Sequence, residues 1–389
     1  MLKVDIIYGG DIYAPNGASV LMRKIHEASG LFFNAGVEHR LISPSKELAK
    51  AENAGTLVHN TSTLKRIVRK ITKYSLIISL LRYHRNLIVP ANKALDLYEK
   101  MPVKGDFVVF HELWTYYAYK RRFKDATAKT IMVIHGDGDL WKGQYIDMPR
   151  FKSILMVPYR KRFEKLVLES DRIGFDAEQP RDYFCKTYHY DEKKSFFVYN
   201  GIELRQRPQM TVCDKLRLIC IATLNDRKNQ MGILNAVGML SKENQQKVEI
   251  ILVGDGPSRK ALEERASHLT SPITFAGTMK EPQYYDLMLK SNCFCLYSKE
   301  EGLPIAVIEG MRAGLPILGS KVGGIPEEVV NGKSGFVVDL DDTQLAEKIK
   351  WLIMNLDTLP EMGKVSYQLY VDKFTTQAMV NKYVEVYNY

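Results

Sequence analysis

The sequence lacks the features of a membrane-spanning protein, a secreted protein or a protein with a structural metal site. Its longest apolar run, Leu76 to Leu81, is far shorter than the ~20 residues that a membrane-spanning helix needs. No apolar stretch with a basic flank opens the chain, so we expect no secretory signal. The five cysteines, at 185, 213, 220, 293 and 295, do not show the paired spacing of metal ligands, and their odd number does not suggest a disulfide framework. Together these absences predict a protein of the reducing cytoplasm.

What the sequence does contain is an alternation of strand-like and helix-like segments along 389 residues. A chain of this length exceeds what one core usually supports, so two domains of roughly 200 residues each are expected. The alternation predicts an α/β fold with parallel, doubly wound sheets, whose ligands bind at the carboxyl ends of strands. Predicted elements of the first half are strands at 4–8, 38–42, 107–110, 130–134, 171–175 and 195–198, and a helix at 19–34.

The most informative stretch runs from Cys293 to Val338. A short apolar strand, Cys293 to Tyr297, leads into a charged loop and then into a helix with Pro304 in its first turn. A second strand follows, and the glycine-containing turn Val322 to Pro326 comes after it. A strand that delivers such a loop to a helix N-terminus makes an anion site, because free N–H groups and the positive helix dipole point the same way. We therefore expect this stretch to bind phosphate.

Two carboxylates, Glu301 and Glu309, lie eight positions apart on either side of the predicted phosphate-binding turn. A carboxylate repels phosphate, so both are better suited to accept hydrogen bonds from hydroxyl groups. Glu309 would suit a ribose hydroxyl, and Glu301 a hydroxyl of a sugar beyond the phosphates. The alternative is that Glu301 belongs to a solvated loop and Glu309 to a helix surface.

The Glu-x7-Glu spacing with E-G-L-P inside it, followed by A-G-L-P-I and V-G-G-I-P-E, resembles the donor-binding signature of retaining GT-B glycosyltransferases, family 4 (group 1). The resemblance implies two Rossmann-like domains that face each other across a cleft. It places an acceptor-side domain at 1–200, onto which a terminal helix at 374–389 packs back, and a nucleotide-sugar donor domain at 201–373. The linker is Tyr199-Asn200-Gly201-Ile202. The resemblance is strong over 216–340 and looser before 200.

The same resemblance assigns residues of the second domain to the donor. Lys228 matches a lysine that contacts the diphosphate, and backbone groups near Gly302, Leu303 and Pro304 stabilise the same phosphates. Met279 lies where the family reads the nucleobase with backbone groups. Thr223 departs from the pattern, since an arginine is usual there. Arg227 then substitutes from another direction, or the phosphates are held more weakly, or catalysis has been lost.

In the first domain the resemblance points to a glycine loop and a histidine. Gly17 matches the glycine-rich loop near the donor phosphates and the acceptor, although Asn16 replaces a second glycine. His135 matches the histidine whose backbone or imidazole contacts the transferred sugar. His111 resembles a less demanding family position.

We expect no metal ion and no other cofactor. Asp137-Gly138-Asp139 mimics an Asp-x-Asp metal motif, but the doubly wound pattern and the Glu-x7-Glu motif oppose that interpretation. A chelator is therefore expected to leave activity intact.

The net charge of +10 is carried by the first half, where residues 1–200 contain 33 Lys and Arg against 22 Asp and Glu. Basic and apolar residues interleave at helical spacing over 61–85. This stretch is an ordinary solvated helix face, an amphipathic helix on an anionic membrane, or a nucleic-acid site. No nucleic-acid motif accompanies it, and we expect no nucleic-acid partner. Peripheral attachment to the inner face of the plasma membrane is the functional hypothesis. The sequence does not indicate an oligomeric state.

The resemblance implies a metal-independent hexosyltransferase that moves a sugar from a nucleotide-diphosphate donor, UDP favoured over GDP, to a glycan or lipid-linked acceptor. Lys228 stabilises the departing diphosphate, Glu301 positions the sugar, Glu309 binds the ribose, and His135 lines the sugar's other side. Bacterial-type polysaccharide or glycoconjugate synthesis is the expected context. Two alternatives are a nucleotide-sugar epimerase of the same architecture and a non-catalytic GT-B partner subunit, the latter suggested by Thr223.

Overall fold

The computed structural model describes residues 1–14, 17–45, 75–142, 145, 149–209 and 214–388, which group into two compact units. Unit 1 comprises Met1–Asp176, Pro180–Val198 and Val380–Tyr389, and unit 2 comprises Ala177–Gln179 and Tyr199–Met379. The chain thus leaves unit 1 after Val198 and returns to it at Val380. Most of the basic stretch at 61–85 lies outside the described residues.

Unit 1 is built on a parallel six-stranded sheet in the order β2-β1-β3-β4-β5-β6. The strands β3, β4 and β5 are almost entirely buried, as expected where helices cover both faces of a sheet. The strands are β1 Leu2–Ile7, β2 Val37–Ile42, β3 Phe107–Phe110, β4 Lys129–Ile134, β5 Arg172–Phe175 and β6 Ser195–Phe197. The described helices are α1 Gly17–Glu27, α2 Ser29–Asn34, α3 Leu76–Tyr83, α4 Val89–Glu99, α5 Leu113–Arg122, α6 Val157–Leu168 and α7 Glu178–Tyr188, with a π-helix at His84–Ile88.

Unit 2 has a second parallel six-stranded sheet, in the order β12-β11-β10-β7-β8-β9. Its central strand, β10, is buried along its whole length. The strands are β7 Leu216–Ile221, β8 Val248–Val253, β9 Ile273–Gly277, β10 Cys293–Leu296, β11 Ile317–Ser320 and β12 Gly335–Val338. The described helices are α8 Gln230–Gly238, α9 Lys242–Gln246, α10 Arg259–Ala266, α11 Gln283–Leu289, α12 Ile305–Arg312, α13 Asp342–Met354 and α14 Leu359–Lys373. The last helix, α15 Thr376–Tyr387, begins in unit 2 and continues into unit 1.

The strand order fixes where each unit can hold a ligand. In each sheet the strand order reverses at one place, the switch point. It lies between β1 and β3 in unit 1 and between β7 and β10 in unit 2. Helices on either side of such a point diverge and leave a crevice at the carboxyl ends of the two strands. In unit 2 these ends lead into the loops that contain Lys228 and Glu301, and in unit 1 into Gly9 and His111.

The structure confirms the α/β class and corrects some element boundaries. The single helix predicted at 19–34 is two helices, because Ala28 has ψ near 3° and interrupts the helical backbone. The final helix begins at Thr376 rather than at Phe374. Within the part of the chain that the structure describes, no helix is both long enough and apolar enough to cross a bilayer.

Candidate active site

The loop from Glu301 to Pro304 connects β10 to α12 and is held by the glycine turn that follows β11. Gly324 donates its N–H to the carbonyl of Gly302 at 2.6 Å. Gly323 has φ +53°, and a Cβ there would lie 2.0 Å from the carbonyl oxygen of Glu301. Only glycine allows this close approach, so the V-G-G-I-P-E segment supports the E-G-L-P loop directly.

The helix after this loop begins one residue later than the sequence predicted. Pro304 is the N-cap residue of α12, with an extended backbone, and the first helical residue is Ile305. Pro304 has no N–H, so it cannot itself donate a hydrogen bond to a ligand. The first-turn N–H groups of Ile305 and Ala306 have no carbonyl within the helix to accept them. They therefore join those of Gly302 and Leu303 as the amide groups available to an anion.

Lys228 and Arg227 both reach Glu301 across the switch point of unit 2. The Nζ atom of Lys228 lies 2.5 Å from Oε1 of Glu301, and the Arg227 guanidinium lies 3.4 Å from Oε2. Arg227 also donates to the carbonyl of Glu300 at 3.1 Å. Because the Glu301 side chain is only 6% exposed, this is a largely buried charge held by two cations. Arg227 thus lies at the same carboxylate as Lys228.

A second carboxyl group, that of Glu328, is buried beside this ion pair. Glu328 follows Pro326 and Glu327 in the turn after β11 and is fully buried. Neither of its carboxyl oxygens has a hydrogen-bond partner among the described residues. Burial raises the pKa of Glu328 well above its ordinary value, and the negative charges of Glu301 and Glu327 add to the shift. Burial therefore favours the neutral form of this carboxyl group.

Glu309 lies in the second turn of α12, where Tyr284 from α11 donates its hydroxyl to Oε1 at 2.9 Å. Burial and the Glu309 charge raise the pKa of Tyr284, which keeps this phenol protonated as a donor. A carboxylate has about four acceptor positions, so Glu309 retains capacity for a ligand hydroxyl.

Met279 follows β9 and is partly buried against the core of unit 2. The strand ends at Gly277, which has φ +73° and accepts the N–H of Gly254 at 2.8 Å. The chain turns at this point. Backbone groups of 278–279 therefore lie at the carboxyl end of β9, on the same sheet edge as the Glu301 loop.

In unit 1 the turn at Gly9 and Gly10, which follows β1, is fixed by Glu112. Its Oε2 accepts the N–H groups of Gly9 at 2.7 Å and Gly10 at 3.1 Å, and the Thr115 hydroxyl at 2.8 Å. A Cβ on Gly9 would lie 2.9 Å from the Ala91 backbone, which requires glycine there. Gly17 is the first residue of α1. Glu112 thus fixes the turn directly after β1.

His135 lies directly after β4, between Asp176 at the end of β5 and His111 at the end of β3. Its Nδ1 atom is 2.8 Å from Oδ2 of Asp176, and its Nε2 atom is 3.0 Å from Nδ1 of His111. Both ring nitrogens therefore have protein partners. If His135 contacts a sugar, the available group is its backbone rather than its imidazole.

The two carboxylates of the Asp-x-Asp segment after His135 contact groups of their own turn. Oδ1 of Asp139 accepts the N–H groups of Trp141 at 2.7 Å and Lys142 at 2.9 Å, and Asp137 pairs with the Lys142 ammonium. Among the described residues, no group of three or more His, Cys, Asp or Glu side chains is placed to hold a metal ion.

Several residues of the two crevices were not predicted from the sequence, namely Asp176, Glu112, Tyr284 and Glu328. Asp176 follows the predicted strand R-I-G-F, and the strand-end rule that selected His111 and His135 would have found it. Glu328 resembles any exposed glutamate in the sequence, and only its burial identifies it.

The fold of the whole chain is shared with solved glycosyltransferase structures. Sucrose-phosphate synthase from Thermosynechococcus elongatus matches 100% of this chain and 98% of its own, with a TM-score of 0.72 and 15% identity. Anabaena Alr3699/HepE, solved in complex with UDP-glucose, matches 100% of each chain, with a TM-score of 0.64 and 15% identity. At these identities the likeness shows the fold alone, which is that of the GT-B glycosyltransferases.

The sequence of unit 2 matches a known family. Residues 205–368 match the family model of the glycosyl transferases group 1. The N-acetyl-alpha-D-glucosaminyl L-malate synthase of Bacillus anthracis is 24% identical over 203 residues, which are 51% of this chain and 52% of that protein. The match thus spans about half the length of this curated relative. The resemblance inferred from the Glu-x7-Glu motif is confirmed at the level of the family.

Proposed function

We propose that the chain transfers a hexosyl group from a nucleotide-diphosphate sugar to a glycan or lipid-linked acceptor, with retention of anomeric configuration. The observation that carries the proposal is the approach of Lys228 and Arg227 to Glu301 at the switch point of unit 2. Two cations beside free helix N-terminal amides suit a diphosphate, and a carboxylate next to them suits a sugar hydroxyl. The match of residues 205–368 to the group 1 family model supports the same reaction class.

In the proposed reaction the bond between the anomeric carbon and the diphosphate oxygen breaks as positive charge builds on the sugar. Lys228 leaves Glu301 and pairs with the departing phosphate oxygens. The same oxygens are stabilised by the amides of Gly302, Leu303, Ile305 and Ala306. Glu301, released from that ion pair, is free to accept a sugar hydroxyl. Glu309 accepts a ribose hydroxyl, and backbone groups near Met279 contact the base.

The donor is proposed to be a UDP-sugar rather than a GDP-sugar, and the reaction to need no metal ion or other cofactor. Support for UDP comes from the UDP-glucose complex of the structurally similar HepE. Polysaccharide or glycoconjugate synthesis is the proposed context.

The purified chain should be incubated with UDP- and GDP-sugars and a panel of glycan and lipid-linked acceptors. Nuclear magnetic resonance of the product then reports the anomeric configuration. We expect a retained linkage from a UDP-sugar, in the presence or absence of a chelator. Isomerised donor without acceptor would identify an epimerase instead. Tight UDP binding with no turnover on any acceptor would favour the non-catalytic subunit that Thr223 suggests.

We predict that Glu309→Ala weakens UDP binding about 10- to 100-fold, because a hydrogen bond to a charged group contributes about 1.5–3 kcal/mol. Tyr284→Phe should weaken binding less, since it removes only the group that orients Glu309. Calorimetric titration with UDP measures both effects. Glu263→Ala, which removes an exposed carboxylate on α10, is the matched control. Wild-type affinity in Glu309→Ala would remove this residue from the ribose site.

We further propose that the basic segment 61–85 attaches the protein to an anionic membrane surface. Its described end, α3, exposes Ile77 and Leu81, which are four residues apart on one helix face, beside Arg82 and Arg85. A basic helix with such a face favours the membrane interface.

The protein should sediment with anionic vesicles and not with neutral ones, because each Lys or Arg near an anionic surface contributes about 1 kcal/mol. Ile77→Ser/Leu81→Ser should weaken this binding, while Leu97→Ser, an exposed apolar position on α4, serves as the control. If salt has no effect and neither vesicle type retains the protein, the segment is only a solvated helix face.

A further inference from the structure

Unit 1 contains a hydrogen-bonded row of three titratable side chains, Asp176, His135 and His111, at the ends of three neighbouring strands. The separations are 2.8 Å from Asp176 Oδ2 to His135 Nδ1 and 3.0 Å from His135 Nε2 to His111 Nδ1. His111 is 5% exposed. Its remaining ring nitrogen, Nε2, is buried and has no hydrogen-bond partner among the described residues. A buried polar atom of this kind requires a partner, since leaving it unpaired is costly.

We propose that Asp176, His135 and His111 form one proton-sharing chain whose open end, Nε2 of His111, binds a hydroxyl group as a donor when His135 is charged and as an acceptor when it is neutral. The hydroxyl is that of a water molecule in the free protein. When substrate is bound, this hydroxyl group belongs to a sugar, an assignment that rests on the proposed function.

The two states of the chain differ by one proton. In the charged state His135 donates from Nδ1 to Asp176 and from Nε2 to His111 Nδ1, so that His111 carries its proton on Nε2. When the Nε2 proton of His111 leaves, the Nε2 proton of His135 moves to Nδ1 of His111. His135 becomes neutral, Asp176 is unchanged, and Nε2 of His111 is left with a lone pair.

The charges around the chain place the extra proton on His135. Burial alone would lower the pKa of His135, but the charge and hydrogen bond of Asp176, aided by the charge of Glu112, raise it above its ordinary value. Tyr383 of α15 also lies near Asp176, and burial raises its pKa, so it remains a neutral phenol. His135 is thus the stable site for a proton that enters or leaves through His111.

His111 itself does not hold the charge. Burial lowers the pKa of His111 well below its ordinary value, and the proximity of His135 and His39 lowers it further. His39, on β2, stacks on Phe32 with ring centroids 3.7 Å apart, and burial lowers its pKa to about 3. A neutral His39 does not compete for the proton and serves as an internal reference.

The tautomers of these histidines can be read by nuclear magnetic resonance of the full chain labelled with 15N-histidine, between pH 5.5 and 9. We expect His135 to titrate above pH ~6.5, the ordinary value for histidine. Over the same interval His111 should change from the Nε2–H to the Nδ1–H tautomer, with the same midpoint. A His111 tautomer that stays constant while His135 titrates would overturn the proposal.

Asp176→Asn should lower the His135 midpoint, because it removes the charge that stabilises the imidazolium. The matched control is Asp137→Asn, two residues beyond His135, whose carboxylate pairs with Lys142 and should leave the midpoint unchanged. If Asp176→Asn folds and its His135 titration midpoint does not move, the proposed proton-sharing chain is contradicted. If that variant does not fold, the wild-type tautomer titration decides alone.

The hydroxyl-binding end is tested with His111→Asn and His111→Gln. Asparagine places its amide near the Nδ1 position of histidine, whereas glutamine places its amide near the Nε2 position. We expect sugar transfer to fall about tenfold in His111→Asn and to recover in His111→Gln, with the affinity for UDP unchanged in both. Equal losses in the two variants would refute the hydroxyl contact. Weakened UDP binding in both would instead count against the proposed donor site.

Discussion

Lys228→Ala is expected to lower kcat/KM for the nucleotide-sugar about 10²- to 10³-fold. In the proposed reaction Lys228 is the cation that meets the leaving diphosphate, and removal of one preorganised group that stabilises developing charge typically has this effect. Lys228 is only 14% exposed, so water replaces its ammonium poorly. The departure at Thr223 increases the expected loss, because one cation that is usual in the family is missing.

The control for this variant is Lys299→Ala. Lys299 lies two residues before Glu301, and its ammonium pairs with Asp226 in an exposed ion pair. It carries the same charge at the same sheet edge but does not reach Glu301, so turnover should remain near that of the wild type. Arg227→Ala should lie between the two, since its guanidinium is farther from Glu301 and more exposed. Turnover within threefold of the wild type in Lys228→Ala would show that the diphosphate is not held by this residue.

The parts of the site that local sequence determines were predicted well. The strand, charged loop and helix around Glu301 follow from short-range signals, and the glycines of the V-G-G-I-P turn are needed because a Cβ at Gly323 would collide with the Glu301 backbone. The family resemblance rests on the same local residues. Strand ends were also predictable, since apolar runs mark the strands and parallel sheets bring their carboxyl ends to one edge.

Contacts between distant segments were not predictable from one sequence. Lys228 was assigned to a phosphate, and its pairing with Glu301, 73 positions away, was not predicted. His135 was predicted to contact the sugar through its imidazole or its backbone. The partners of its two ring nitrogens, His111 and Asp176, follow other strands and were not predicted. These contacts depend on strand order, and the switch point in each sheet is a property of the whole unit. The segment 46–74 lies outside the described residues, so most of the membrane hypothesis stays a prediction.

The ion pair between Lys228 and Glu301 should also stabilise unit 2 against unfolding. Lys228→Met leaves the Glu301 carboxylate buried with only the more distant Arg227, and removal of one partner from a buried ion pair typically costs about 3–5 kcal/mol. Addition of Glu301→Gln to Lys228→Met should recover most of this loss, because a neutral amide no longer needs the cation. Lys299→Met, which breaks an exposed ion pair, should cost less than about 1 kcal/mol.

Hydrogen exchange of the β10 amides measures this free energy of unfolding in unit 2 itself, which global unfolding of a two-unit chain does not isolate. The loss in Lys228→Met should grow as the pH rises through the folded pKa of Glu328. Burial raises the pKa of Glu328 above its ordinary value of 4.5, so its contribution to stability is complete below about pH 4.5 and is lost as pH rises through the folded value. Once Glu328 ionises, it faces Glu301 with less compensation when Lys228 is absent, and the destabilisation is greatest at high pH. Equal stabilities of Lys228→Met and the double variant at every pH would mean that Glu301 does not depend on Lys228.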